Sequence, residues 1–166
     1  YVLTAHTKND QAETLLMNLV RGAGIEGLAG MRSVRRLETG NDPRREILLI
    51  RPFLSWATRE QMENYCEKRG QLFRNDSMND DEQFTRVKIR KQVIPLLAEF
   101  NPRIVESLSR CAEALRDVVD GLNVAEAAAV HETIKISALM KLTSAERTRH
   151  LRAWIKRHRG NLRGIS

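Results

Sequence analysis

"YVLTAHTKNDQAETLLMNLV" (residues 1–20) decides the fold class. "YVLTA" carries β-branched and aromatic residues before a polar break, the pattern of a strand. From Ala12 the pattern changes. Ala12, Leu15, Leu16, Leu19 and Val20 recur at i, i+3, i+4, i+7 and i+8, which predicts a helix of about 12 residues with one buried face. A strand feeding directly into an amphipathic helix is the start of an α/β unit.

Working outward, "RGAGIEGLAG" ends this helix. "RRLETGNDPRREILLIRPF" reads as two strands around a Gly-Asn-Asp-Pro turn. Thr58 and Gln61 have capping-box spacing, for a helix running to Arg69 and stopped by Gly70. "QLFRNDSMNDDEQ" is polar and loop-like. "FTRVKIRKQVIPLLAEF" is helical, with Pro95 expected to kink or break it. Asn101-Pro102 has the N-cap and N1 signature of a new helix. Apolar residues then recur at 104/105, 108, 111/112, 115, 118/119 and 122, a long amphipathic helix reaching "VAEAAAV". "TIKIS" is a candidate short strand. Thr143 with Glu146 caps a last helix, whose apolar side is Leu151, Trp154 and Ile155. The expected division is a mixed α/β part over residues 1–100, a connecting helix over 101–132, and a basic helical module starting at 133–166.

The 166 residues are 42% hydrophobic, enough to bury a core, and no apolar run approaches the roughly 20 residues that span a bilayer. No basic-then-apolar leader is visible at the start. Cys66 and Cys111 are isolated, form no CxxC and complete no zinc pattern. Two reduced thiols in a cytoplasmic protein are the expectation. The chain opens on Tyr1 midway through a strand and stops at "LRGIS" without a helix-ending signal. We therefore expect a piece of a longer protein.

Net charge is +7 and the pI is about 9.9, a balance that suits polyanionic partners. Arg147, Arg149, Arg152, Lys156, Arg157, Arg159 and Arg163 follow one another with no acid among them. Such a block repels itself unless an anion neutralises it, which points to nucleic acid; a solvated basic surface is the alternative.

"GAGIEG" (residues 22–27) matches G-x-G-x-x-G letter for letter. The dinucleotide fingerprint needs those glycines between a strand and a helix N-terminus. Here they follow a helix C-terminus, where the dipole repels phosphate. They read as a helix stop and turn.

Two arginines sit where a core face is expected. At roughly 100° per residue from Ile89, Val93 falls near 40°, Leu97 near 80°, Arg86 near 60° and Arg90 near 100°. Both arginines share the inward stripe, while Lys88 and Lys91 lie opposite. An inward arginine needs a partner. Nearby acids such as Asp76, Asp80 or Asp81 are one choice; a bound phosphate or carboxylate is the other. The stretch "AHTKNDQAET" (residues 5–14) is equally two-sided. Thr7 as N-cap puts Asp10 at N3, and Asp10 as N-cap puts Glu13 at N3. Yet the stretch also follows a strand, and ligands bind at the carboxyl ends of α/β strands. His6 at that edge suits proton transfer or phosphate contact.

Taken together, these stretches resemble the tRNA(Ile)-lysidine synthase family of PP-loop ATP pyrophosphatases. "AHTKNDQAETLLMNLVRGAGIEGLAGM" is similar to its H-[HT]-x-x-D-Q-A-E-T…R-G-x-G-x-x-G-L-x-G-M segment. "IRPFL" is similar to its R-P-[LF]-L. "NDSMNDDEQFTRVKIRKQVIPLLAEFNP" is similar to its D-x-S-N-x-D…[YF]-x-R-x-x-[IL]-R…P-x-L…N-P segment. Three motifs in order cover the chain to residue 102; beyond it the likeness is architectural. The chain departs at Thr7, where many members have a second His, at Asn9, often Asp, and at Val87, often Asn. The family's S-G-G-x-D-S pyrophosphate loop is not among these residues, and in the family it precedes this strand.

The resemblance implies the C-terminal part of a Rossmann-like PP-loop domain, then a long helix and the start of an all-α basic module. It implies ATP and Mg²⁺, adenylation of the C2 oxygen of the wobble cytidine of tRNA(Ile) with a CAU anticodon, and displacement of AMP by the L-lysine amine. Asp10 and Glu13 would hold Mg²⁺ or the lysine ammonium. A carboxylate or His6 would serve as base, Arg86 and Arg90 would face phosphate or the activated cytidine, and residues 147–163 would touch the tRNA backbone. The 166 residues alone would not turn over ATP. No membrane is implied, and a homodimer is left open. Competing readings are a sibling enzyme that thiolates tRNA cytidine, which the isolated cysteines oppose, and a non-catalytic tRNA-binding module.

Overall fold

The computed structural model describes residues 1–37, 47–73, 83–129 and 133–159, without the side chains of residues 123–129 and 156. Its elements run β1 (Val2–Leu3), α1 (Lys8–Val20), α2 (Ile25–Leu28), β2 (Val34–Leu37), β3 (Ile47–Ile50), α3 (Arg59–Lys68), α4 (Thr85–Lys88), a π-helical segment (Ile89–Val93), α5 (Ile94–Phe100), α6 (Ile104–Ala129), α7 (Ile136–Leu139) and α8 (Ser144–Arg159). The chain forms two compact units, Tyr1–Asp117 and Val118–Ser166, so the division falls inside α6. Among the described residues no helix is long and apolar enough to cross a membrane.

The first unit is mixed α/β. Its three-stranded sheet has the order β1-β3-β2. β1 runs parallel to β3, with Val2 opposite Leu49; β2 pairs antiparallel with β3, with Val34 opposite Ile50. The two expected strands at 35–53 are therefore a real antiparallel pair. Their connecting turn lies outside the described residues, as does most of the polar loop before Phe84.

α1 begins where Thr7 caps it. The Asp10 carboxylate, at N3, accepts from the Thr7 backbone N–H at 2.8 Å and from its hydroxyl at 3.0 Å. Of the two capping registers, the Thr7 one forms. Ala12, Leu15 and Leu16 are buried as expected, but Leu19 and Val20 are exposed. The last turn instead directs Asn18 back onto the chain, donating to the Gly27 carbonyl at 2.8 Å. The glycine-rich segment returns over that polar side and leaves Leu19 and Val20 outside. Gly22 takes φ +73° just past the helix, where a glycine stop belongs.

The helix after Phe84 does not break at Pro95. It widens instead: the Ile94 N–H reaches back to Ile89 O, a π-type bond. Proline has no N–H and its ring crowds the carbonyl four residues back, so one wide turn before it keeps the helix continuous. That turn also upsets the 100° wheel. Val87 and Ile89 are buried, but Val93 is exposed, and Leu97 is only half-buried.

Asn101 ends α5 and starts the next helix as its dipeptide signal predicts, its Oδ1 accepting from Arg103 N–H at 3.0 Å. α6 buries Ser109, Ala112 and Val119. In the second unit, Thr143 and Glu146 make the expected cap, the carboxylate accepting from the Thr143 N–H and hydroxyl at 2.9 and 2.7 Å. "TIKIS" is not a strand: Ile136 opens the short helix α7. Among the described residues all strands lie in the first unit, and a lone strand has no ladder to satisfy its backbone.

Candidate functional site

The parallel strands β1 and β3 carry the chain out at one edge of the sheet, and the segments leaving them meet. Lys8 N–H donates to the Ala57 carbonyl at 2.9 Å. Arg59 N–H donates to Asn9 Oδ1 at 2.8 Å. The start of α1 and the start of α3 are thus joined beyond the strand ends, where α/β folds place ligands. Asn9 supplies this bond through a carbonyl oxygen, and an aspartate there would offer the same acceptor.

Onto this junction α4 and the π-helical segment bring two arginines. Glu13 is fully buried. Arg90 grips it side-on, Nε to Oε1 at 2.7 Å and Nη2 to Oε2 at 3.1 Å. Arg86 bridges both acids, Nε to Glu13 Oε2 at 2.7 Å and Nη2 to Asp10 Oδ1 at 2.8 Å. Arg59 closes the ring, its Nη2 at 3.4 Å from Glu13 Oε1 and 4.0 Å from Asp10 Oδ1. The inward arginines are therefore ion-paired with Asp10 and Glu13 of α1; Asp76, Asp80 and Asp81 lie outside the described residues. The hydrogen bond to Glu13, reinforced by both acids, holds Arg90 above its ordinary value. Among the described residues, three guanidiniums face two carboxylates. Such a cluster can bind or stabilise an anion.

His6 stands half-buried beside this cluster, its Nδ1 2.8 Å from Thr4 Oγ1. Burial pushes its pKa below the usual histidine value; Asp10 opposes this, and Arg51 and Arg86 reinforce it. The ring is neutral at neutral pH. With the proton on Nδ1 it donates to Thr4 and leaves Nε2 as an acceptor. Arg51, almost wholly buried, is anchored by Nη1 to the Arg32 carbonyl at 2.8 Å.

The donor set at Glu13 does not fit Mg²⁺. Four guanidinium N–H groups already occupy its two oxygens, and a hard cation would have to displace them. Asp10 is likewise held by Thr7 and Arg86. Among the described residues no three His, Cys, Asp or Glu side chains converge to hold a metal ion. The same occupancy leaves the two carboxylates little room for a lysine ammonium.

Sequence reasoning missed Arg59, Arg51 and Gln11. Arg59 carried a signal: a cation at the first residue of a capped helix opposes the dipole and needs another reason. Gln11 explains why D-Q-A-E-T and L-x-G-M occur together. Buried beside Ala12, it accepts from Met31 N–H at 2.9 Å and donates to the Met31 carbonyl at 3.3 Å. Arg116 of α6 adds bonds to the Ala29 and Met31 carbonyls. The glycine segment is thereby pinned under α1; it stops that helix at Gly22 as expected, but then forms the short helix α2 with Gly24 as its N-cap rather than only a turn.

The basic block lies in the second unit. Arg147 is committed to its own chain, Nε to the Leu139 carbonyl and Nη2 to the Leu142 carbonyl, each at 3.2 Å. Arg149 and Arg152 are half-buried, while Arg157 and Arg159 are exposed. The Lys156 side chain and Arg163 fall outside the described residues.

Compared with known proteins, residues 1–97 match the PP-loop domain. The tRNA(Ile)-lysidine synthase of Coxiella burnetii is 36% identical over 163 residues, 95% of this chain and 34% of that protein. That of Pseudomonas syringae pv. tomato is 35% identical over 167 residues, 93% and 36%. That of Bacillus subtilis is 38% identical over 117 residues, 70% and 23%. The chain spans about a third of the length of the first two relatives.

Proposed function

Because the chain belongs to the PP-loop domain family, we propose that the full-length protein joins L-lysine to the wobble cytidine of tRNA(Ile) with a CAU anticodon, in the cytoplasm. The C2 oxygen of the cytidine attacks the α-phosphate of ATP and releases pyrophosphate, and the lysine amine then displaces AMP from C2 and loses a proton. The first unit supplies the carboxyl-end part of a Rossmann-like PP-loop domain. The 166 residues, which contain no S-G-G-x-D-S loop, do not turn over ATP by themselves.

The observation that carries this reading is the cluster of Arg59, Arg86 and Arg90 around Glu13 and Asp10 at the strand ends. Adenylation and AMP departure both build negative charge, and preorganised guanidiniums stabilise it without reorganising. In this role Asp10 and Glu13 are positioning residues that aim Arg86 and Arg90. Mg²⁺ accompanies the nucleotide phosphates and is not held by Glu13. With both acids occupied, neutral His6 is the better base for the lysine ammonium. The exposed arginines of α8 touch tRNA backbone, adding affinity rather than sequence readout.

The test is AMP release by the full-length protein in the presence of lysine and tRNA(Ile). The wild type is expected to release AMP only with both. Asp10→Ala is expected to abolish lysidine formation while the protein stays folded. Wild-type turnover in Asp10→Ala would leave Asp10 as a helix cap and nothing more.

A further inference from the structure

The three guanidiniums are not equally held. Arg86 and Arg90 bond the acids at 2.7–2.8 Å. Arg59 reaches no closer than 3.4 Å. Among the described residues its Nε and Nη1 make no hydrogen bond, and its only ionic partners are the two acids already paired with Arg86 and Arg90. Its backbone, by contrast, is fixed by Asn9 Oδ1. It also stands at the N-terminus of the ten-residue helix α3, whose dipole adds to the positive potential. A fixed backbone and a loosely held fork are what a cation that receives a ligand needs.

We propose that Arg59 is a phosphate-binding residue, turning its guanidinium from the edge of Glu13 to a phosphate oxyanion entering between α1 and α3. The assignment rests on the function proposed above for the place of this step in a reaction, but the anion site itself rests on geometry. Two sources offer the same chemistry: the phosphate of a nucleotide and the backbone phosphate of an RNA. A planar fork with several uncommitted N–H donors suits either one.

The test is calorimetric titration of the full-length protein, wild type, Arg59→Ala and Arg59→Lys, with AMP and separately with an anticodon stem-loop RNA. Arg59→Ala is expected to weaken one of them by about tenfold, the loss of one hydrogen bond between charged groups. Arg59→Lys keeps the charge without the fork and is expected to fall between. Loss for AMP alone assigns the site to the nucleotide; loss for the stem-loop alone assigns it to RNA backbone. Unchanged affinity for both, a wild type that binds neither, or losses that merely track a reduced folded fraction in thermal melts would overturn the proposal. A wild type without lysine-dependent AMP release would remove the lysidine reading, and the two titrations would still decide on Arg59.

Discussion

The buried Glu13 carboxylate takes both of its oxygens to the Arg90 guanidinium, 77 positions later in the chain. This pair, with Arg86 on the same carboxylate, fastens α1 to the π-helical segment. Glu13→Gln keeps the shape and removes the charge. The arginines are 23% and 36% exposed, so water recovers part of the loss. The expected destabilisation is about 2–3 kcal/mol, below the full cost of orphaning a wholly buried pair. Urea unfolding monitored by circular dichroism measures it.

Gly30 and Gly22 both adopt positive φ, but only Gly30 is crowded. A Cβ on Gly30 would lie 2.8 Å from Gln11 Nε2, whereas one on Gly22 would meet nothing within 4 Å. Gln11 is buried and bonded twice to Met31, so it has nowhere to go. Gly22→Ala is expected to cost about 1 kcal/mol, the conformational term alone. Gly30→Ala should cost at least twice that, read as the drop in urea midpoint.

Arg116→Met tests the grip of α6 on the same turn. It removes the donor to the Ala29 carbonyl and one of the two donors to the Met31 carbonyl, which keeps Gln11 Nε2. The expected loss is about 1–3 kcal/mol. Hydrogen exchange should rise locally at residues 29–31, while α3 keeps its protection.

His6 sets a pH dependence. Its folded pKa lies below the ordinary value of 6.5, mainly through burial. Protonation therefore favours the unfolded chain. The His6 contribution is fully present above pH 6.5 and is lost as pH falls through the lower folded value. Thermal melts of wild type and His6→Gln between pH 7.5 and about pH 5 should show the wild-type advantage shrinking toward the acid end. A constant difference across that range would contradict the assignment.

Local features of this fold are written locally. The Thr58 and Thr143 caps follow from spacing alone, because both partners lie within one turn; at α1 spacing allows Thr7 or Asp10, and the fold selects Thr7. The inward aim of Arg86 and Arg90 follows from helical periodicity. Their pairing with Asp10 and Glu13 does not, because those acids arrive from α1 by tertiary folding. The register beyond Arg90 fails at one wide turn, which leaves Val93 exposed. Leu19 and Val20 fit a core stripe but are exposed. Arg147 belongs by sequence to a polyanion-binding block, yet it caps the carbonyls around α7. The motif set D-Q-A-E-T and L-x-G-M is legible as two resemblances; that Gln11 bonds Met31 is legible only in three dimensions.

In the function proposed above, Glu13 and Asp10 aim Arg86 and Arg90 at the charge developed during lysidine formation. The most direct measurement is mass-spectrometric detection of lysidine in tRNA(Ile) treated with the full-length protein, ATP and lysine, comparing wild type with Arg86→Ala. Lysidine is expected with the wild type. A loss of about a hundredfold or more in initial rate is expected for Arg86→Ala, the scale for removing a preorganised electrostatic contact, in a protein that still unfolds cooperatively. No lysidine with the wild type, or wild-type rates with Arg86→Ala, would contradict this reading.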